Sequence, residues 1–160
     1  MGDGDGWTTC AQGHRHWGRQ GAAGLLLRWR DPAGALHVLM QQRVGWSHEG
    51  GTWAVPGGAR DSHEDDAACA LREAEEEVGL DAAGVTLRSS WVDDHGGWRY
   101  TTVVGDAASR LPVRVRRETA AVRWVPADDV AALTLHSGFR AAWPHLRHLD
   151  PPAAPGTVRS

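Results

Sequence analysis

Gly58 to Leu80 reads GARDSHEDDAACALREAEEEVGL and holds five of the chain's seven glutamates. At about 100° per residue on a helix, Glu73, Glu76 and Glu77 fall within roughly 100° of arc. Ala67, Ala70, Leu71, Ala74 and Val78 fill the neighbouring arc, which must be the buried face. The stretch is therefore a helix, expected from about His63 to Val78, with an apolar stripe for a core and a carboxylate stripe beside it. Gly79 ends it, as a Gly just past the last periodic residue does. Ser62, with Asp65 three residues on, is the expected N-cap.

A solvated charged face is the plain alternative. Such a face pairs its Glu with a base four residues on. The residues four beyond Glu73, Glu76 and Glu77 are Glu77, Leu80 and Asp81, none of them basic. The helix so stores repulsion that a divalent cation would relieve. It also follows Pro56-Gly57-Gly58, a turn that brings bare backbone to the helix start.

The segment resembles the Nudix box: Gly, five residues, Glu, seven residues, Arg-Glu, an apolar residue, any residue, Glu-Glu, any residue, Gly, an apolar residue. Gly58, Glu64, Arg72, Glu73, Glu76, Glu77 and Gly79 match, Leu80 fills the last apolar slot and Ala74 the other. Seven fixed positions at ordinary residue frequencies coincide about once in 10⁸ tries. The resemblance implies an α/β/α sandwich with a mixed sheet and a catalytic box helix, and an enzyme that hydrolyses a nucleoside diphosphate linked to another group. It also implies Mg²⁺, with Mn²⁺ as a substitute, and a nucleotide as the small-molecule partner.

Carried onto this chain, Glu76 and Glu77 are the first choice as metal ligands, with the backbone carbonyl of Gly57 beside them. Glu73 is a further ligand or the base that orients water, since neighbouring carboxylates titrate as a set. Arg72 is expected to orient a carboxylate. Gly58 and Glu64 support the box, Glu64 through Arg72. Glu118, the only Glu after the box, either reaches the metal cluster from a later loop or is a surface charge. Candidate walls for a nucleobase are Trp46, Trp91, Trp98, Tyr100 and Phe139, because bases pack on aromatic surfaces. No downstream signature points to a preference for NADH, coenzyme A or ADP-ribose. The default is then a MutT-like nucleoside triphosphate pyrophosphohydrolase. The alternatives are a hydrolase of ADP-ribose or another nucleoside diphosphate derivative, and a catalytically silent nucleotide-binding module.

Around the box, Ala22–Trp29 and Ala35–Gln42 are apolar runs joined by Asp31-Pro32-Ala33-Gly34, a hairpin signal. Residues 44–51 read as a loop and Thr52–Val55 as a short strand. Val85–Asp93 and Trp98–Gly105 form a second hairpin across Asp94-His95-Gly96-Gly97. An Arg-rich connector covers 106–117, Ala120–Val125 is a strand, and a helix opens near Pro126 and runs to about Leu133. Phe139–Leu149 is a last helix containing Pro144. Residues 21–149 form the domain, 1–20 a polar arm and 150–160 a Pro/Ala-rich tail expected to lack order.

At 160 residues the chain can build one real core. A net charge of −3 argues against a nucleic-acid polymer as partner. No apolar run reaches transmembrane length and Met1 to Thr9 has no hydrophobic signal core, so the expected location is cytoplasmic. The chain has no Lys, Asn or Ile and leans on Arg for positive charge. Those three residues have A/T-rich codons, so the lack of Lys reflects a high-GC genome and says nothing about mechanism. Cys10, His14 and His16 are of the right type for zinc, but three ligands without a CxxC pair do not make a zinc ribbon. The segment is read as a polar arm with Trp17 against the sheet.

Overall fold

Strands β3 (Ala22–Arg30) and β4 (Leu36–Arg43) form the expected hairpin, and the way they part company builds the rest of the domain. The computed structural model describes residues 2–149; the tail expected to lack order lies outside the described residues. β3 and β4 pair only near their turn, from Arg28↔Val38 to Arg30↔Leu36. Beyond that they splay, and two short strands line the gap. β5 (Trp53–Ala54) pairs with β4, and β6 (Gly57–Ala59) pairs with β3. The segment 53–59 thus crosses from one arm of the open hairpin to the other, and Leu25 N–H donates to the Pro56 carbonyl at 2.9 Å between them.

The outer edges are completed by β7 (Val85–Asp94), β8 (Arg99–Ala107) and β9 (Thr119–Pro126). β8 lies parallel to β3, β7 antiparallel to β8, and β9 antiparallel to β4. The sheet is mixed and covered on both faces, so its central strands are apolar on both sides. Leu25, Leu27, Leu39, Val103 and Trp124 face helix α1 (Asp66–Val78), meeting Cys69, Ala70, Ala74 and Val78. Leu26, Val38, Met40, Val104 and Val125 face the other way, toward helix α2 (Ser137–Leu146) and its Phe139, Ala142, Trp143 and Leu146. The alternation along each strand sorts the two cores. The result is the α/β/α sandwich with a mixed sheet that the box implies.

Several elements differ from the sequence reading. α1 begins at Asp66, and its N-cap is Asp65, whose carboxylate accepts from Ala68 N–H at 2.7 Å. Ser62 is instead engaged by Asp3, which accepts both its N–H at 2.8 Å and its hydroxyl. The helix expected after Pro126 is a 3-10 stretch, Ala127–Ala132. α2 starts at Ser137, where the His136 ring accepts from Gly138 N–H, and Pro144 lies within it. The arm is partly regular: β1 (Trp7–Thr9) and β2 (Arg15–Trp17) make a separate antiparallel hairpin. Trp17 is half exposed and meets Trp7 edge to face at 5.4 Å. The ring that reaches the main sheet is His16, stacked on Trp98 at 3.9 Å.

Gly79 closes α1 in the left-handed region (φ 66°), donating to the Glu75 carbonyl at 3.0 Å, while Leu80 N–H reaches Ala74 at 3.4 Å. This is the Gly-dependent C-cap geometry that satisfies the last carbonyls. A Cβ here would also sit 3.2 Å from the Arg114 side chain. Gly79→Ala is expected to cost about 1–2 kcal/mol. Urea unfolding should show a lower midpoint with an unchanged slope; an unchanged midpoint would mean the cap does not constrain the helix end.

Candidate active site

The Arg72 guanidinium ties the loop before α1 to the helix itself. Its Nε and Nη2 donate to the two Glu64 oxygens at 2.9 and 2.6 Å, and Nη2 also reaches the Ala59 carbonyl at 3.0 Å. Its Nη1 donates to Glu73 at 2.9 Å and to Glu76 at 3.3 Å. Such a two-pronged clasp is geometry only Arg supplies. Glu64 is buried and also accepts from Asp61 N–H at 2.9 Å. Its hydrogen bond from Arg72 holds its carboxyl below the usual range despite burial, and the same bond raises Arg72 further. Glu64 so faces Arg72 and the loop.

Glu73 and Glu77 lie one turn apart on the same side of α1, close enough that the charge of each disfavours ionisation of the other. Burial is the first cause that raises both carboxyls. Glu77 is pushed up to about 8, by burial and by the charge of Glu73, against a hydrogen bond from Gln41 that favours the ionised form. Gln41 Nε2 donates to Glu77, and Gly57 N–H donates to its other oxygen at 3.3 Å. The observed Gly57 contact is thus through its amide. Gly58 is where the backbone passes the Glu73 carboxylate: a Cβ there would lie 2.5 Å from Glu73 Cδ. The buried Gln41 Oε1 has no hydrogen-bond partner among the described residues.

This donor set suits a hard divalent cation. Two crowded carboxylates repel unless one is protonated, and among the described residues a buried amide oxygen has no partner, whereas Mg²⁺ takes such oxygens. Glu76, at the open end, accepts from Arg72 and from Arg117 at 3.4 Å. Arg117 and the following Glu118 both have positive φ, 21° and 45°, a backbone state that non-Gly residues adopt at a cost. Glu118 is exposed, and its carbonyl accepts from Val44 N–H.

The proposed nucleobase walls separate. Tyr100 has its hydroxyl close against Gly24 and Gly57, beside the carboxylates; burial and then the charge of Glu77 raise its pKa. Trp98 is covered on one face by His16 and lines an open cleft of about 360 Å³ with Arg19, Arg60 and Arg99. Trp46 stands out from the 44–51 loop at 76% exposure. Trp91 stacks on His145 at 5.3 Å. Phe139 corrects the sequence reading: it is buried and packed on Trp143 at 5.7 Å, a core residue under α2. Gln41 is the residue the sequence reading missed. Its signal is its place two residues after Leu39, which turns an amide to the α1 face of an apolar strand.

A carboxylate cluster of this build, seated where a splayed sheet meets the start of a helix, defines a Nudix hydrolase. Residues 18–146 match the sequence profile of the NUDIX domain, a span that holds the whole carboxylate cluster. The chain belongs to the NUDIX family and is an enzyme acting on phosphoanhydride bonds. It is 50% identical over 163 residues to a Mycobacterium tuberculosis protein named "Putative 8-oxo-dGTP diphosphatase 3", covering 98% of this chain and 73% of that one. The crystal structure of a Nudix hydrolase from M. smegmatis, RenU, is also 50% identical and matches with a TM-score of 0.89 over 94% of this chain and 99% of the other. A C. elegans Ap4A hydrolase shares the fold at 20% identity, with a TM-score of 0.63 over 78% of this chain and 93% of its own. Among the described residues, no helix is long and apolar enough to cross a membrane.

Glu77 ordinarily titrates near 4.5 and in the folded chain near 8. Between those values the metal-free folded state holds a proton that the unfolded state has lost. Its stability therefore falls as pH rises through that window. Melting temperatures of metal-free protein should decline from about pH 5 to about pH 8, with Glu77→Gln flattening the profile and Mg²⁺ restoring stability at the upper end. A wild-type profile no steeper than that of Glu77→Gln would refute the raised Glu77 carboxyl. Gly58→Ala should displace the Glu73 carboxylate and lower kcat by about 10-fold or more, about 1.4 kcal/mol of barrier, with the circular dichroism spectrum unchanged. Wild-type turnover would show that Glu73 need not sit against the turn.

Proposed function

We propose that the chain is a Mg²⁺-dependent, MutT-like pyrophosphohydrolase that converts a nucleoside triphosphate to the monophosphate and pyrophosphate. The observation that supports this reading is the Glu73–Glu77 pair, two half-buried carboxylates whose mutual repulsion a cation would relieve. The name of the mycobacterial relative makes 8-oxo-dGTP the first substrate to test. A cytoplasmic location belongs to the same reading, and both cysteines are free thiols.

Glu73, Glu76 and Glu77 would hold the metal, with the Gln41 amide oxygen available beside them. When bound, a divalent ion supplies charge neutralisation for the polyphosphate and lowers the pKa of water. The chain's own residues set the stage for this. Arg72 fixes Glu73 and Glu76 relative to the loop, and Glu64 fixes Arg72. Gln41 and the Gly57 amide orient Glu77. Arg117 lies at the open edge of the cluster on Glu76, where an arriving phosphate would compete for it.

The test is turnover of a nucleotide panel in Mg²⁺, with pyrophosphate and inorganic phosphate both measured. The panel holds ordinary and oxidised nucleoside triphosphates, ADP-ribose, NADH and dinucleoside polyphosphates. Pyrophosphate is expected from a triphosphate, 8-oxo-dGTP foremost. Glu77→Gln should lower kcat by about 10³-fold or more, about 4 kcal/mol of barrier. Turnover confined to ADP-ribose would replace the substrate assignment and keep the chemistry. Saturable nucleotide binding without turnover in Mg²⁺ or Mn²⁺ would favour a silent module, and wild-type turnover of Glu77→Gln would remove the ligand role of that residue.

A further inference from the structure

The β1–β2 hairpin places three metal-binding side chains on one face, away from the carboxylate cluster. Cys10 and His14 are cross-strand neighbours at its turn: Cys10 N–H donates to the His14 carbonyl at 2.9 Å, and Gly13 N–H to the Cys10 carbonyl at 3.0 Å. His16 is two residues beyond His14 along β2, so strand alternation brings it to the same side. One ligand atom from each of Cys10, His14 and His16 lies within 4.8 Å of the other two. A tetrahedral zinc ion, about 2.3 Å from sulfur and about 2.0 Å from nitrogen, spaces one sulfur and two nitrogens roughly 3.3–3.5 Å apart. The difference is about 1.5 Å at most, so each of two side chains would move by about an ångström or less.

A second, independent observation concerns His16. Its ring is stacked on Trp98 at 3.9 Å and 6° between planes, and His95 meets it edge-on at 4.9 Å. Within this packing the His16 Nε2 is buried and has no hydrogen-bond partner among the described residues. A buried polar nitrogen left unpaired is costly, and native structures satisfy nearly all of them. His95 does not serve, since its own Nε2 is occupied by Asp93 at 3.0 Å. Cys10 is also buried and carries a free thiol. Thiolate and imidazole donors select zinc-like cations, whereas the box offers the hard oxygens that suit Mg²⁺. The two sites would not compete for one metal.

We propose that Cys10, His14 and His16 bind one Zn²⁺, with water in the fourth position; all three ligands belong to the N-terminal hairpin, so the ion braces the hairpin itself and the His16 ring by which it packs against the turn between β7 and β8. The hairpin already touches that turn: Ala11 N–H donates to the Gly96 carbonyl at 2.6 Å. Binding releases the Cys10 thiol proton to solvent, so zinc affinity rises with pH until the competing protons are lost.

The test uses the full chain, stripped with a chelator and held in excess Mg²⁺ to fill the carboxylate site. It is titrated with Co²⁺, a spectroscopic stand-in, and then with Zn²⁺. One equivalent of Co²⁺ is expected to give a thiolate-to-cobalt band in the near ultraviolet, which Zn²⁺ abolishes. Zn²⁺ should also raise the melting temperature. Cys69 cannot supply the band, because it is fully buried in the core under α1. Cys10→Ser should remove the band and weaken Zn²⁺ binding by about 10-fold or more, about 1.4 kcal/mol. His14→Ala, at an exposed position, provides the same test should Cys10→Ser or His16→Ala fail to fold. Absence of a thiolate band in the wild-type chain, or equal Zn²⁺ affinity in wild type and His14→Ala, overturns the site.

Discussion

The Arg72 fork is the contact on which the catalytic end of the molecule depends. A helix that sets Glu73, Glu76 and Glu77 on one side repels itself, and α1 has no basic residue in its last turn to answer them. Arg72 answers from one turn earlier. It faces Glu73 and Glu76 with one nitrogen and gives the other two to Glu64 and the Ala59 carbonyl. The same planar group thus offsets charge on the helix and anchors the loop. A lysine could neutralise one carboxylate but could not span both elements in a fixed plane. Glu64 belongs to this clasp, which explains why a residue of the loop before α1 is part of the motif.

The second constraint is steric. The carboxylates must touch backbone, and backbone is reachable only where the hairpin of β3 and β4 has opened and the segment 53–59 bridges the gap. Gly57 and Gly58 sit at that crossing. A Cβ on Gly57 would meet the Tyr100 hydroxyl at 2.6 Å and the Ala23 carbonyl at 2.7 Å; on Gly58 it would meet Glu73. Gly24, opposite Gly57 in the register, is under the same pressure, its Cβ position being 2.1 Å from the Tyr100 hydroxyl. Three glycines therefore give one tyrosine and two glutamates room to approach main chain from opposite faces of the sheet edge. The desolvation that follows raises the Glu73 and Glu77 carboxyls, a cost that a cation between them would offset.

What could be read from sequence divides along the range of the interaction. The box helix, its Gly79 cap and both long hairpins are set by spacings of a few residues. Asp31, for example, both accepts from Ala35 N–H through its side chain and closes the turn through its backbone. Long-range contacts decided the rest. Ser62 and Asp65 are both chemically able to cap α1, and the choice went to Asp65 because Asp3, 59 residues away, takes Ser62. Phe139 reads as an aromatic free for a ligand until Trp143 and the α2 side of the sheet enclose it. Gln41 is legible only once β4 is known to turn its odd residues toward α1. The β1–β2 hairpin carries little apolar periodicity, since it rests on Trp7 against Trp17 and on His16 against Trp98.

The same division separates chemistry from substrate choice. Groups that would hold a metal need sub-ångström agreement among themselves, and a single helix with its preceding turn supplies it cheaply, so they cluster within 23 residues of sequence, 58 to 80. Groups that would meet a base or sugar need only surround a bound molecule, and they can come from anywhere the fold brings an edge. Here the available surfaces are the exposed Trp46 loop, the Arg-bordered cleft at Trp98, and the strained Arg117–Glu118 bend. They lie on three loops that share no local pattern. Glu49 shows how far such loops are tied down by distant partners: at φ 52° it is held by Ser137 N–H and hydroxyl at 2.9 and 2.8 Å and by His136 at 3.0 Å. The loop carrying Trp46 is thereby fixed to the start of α2, across the sheet from the carboxylates. Changes in α2 that leave the box untouched can therefore move a candidate wall of the substrate site without altering the groups that do the chemistry.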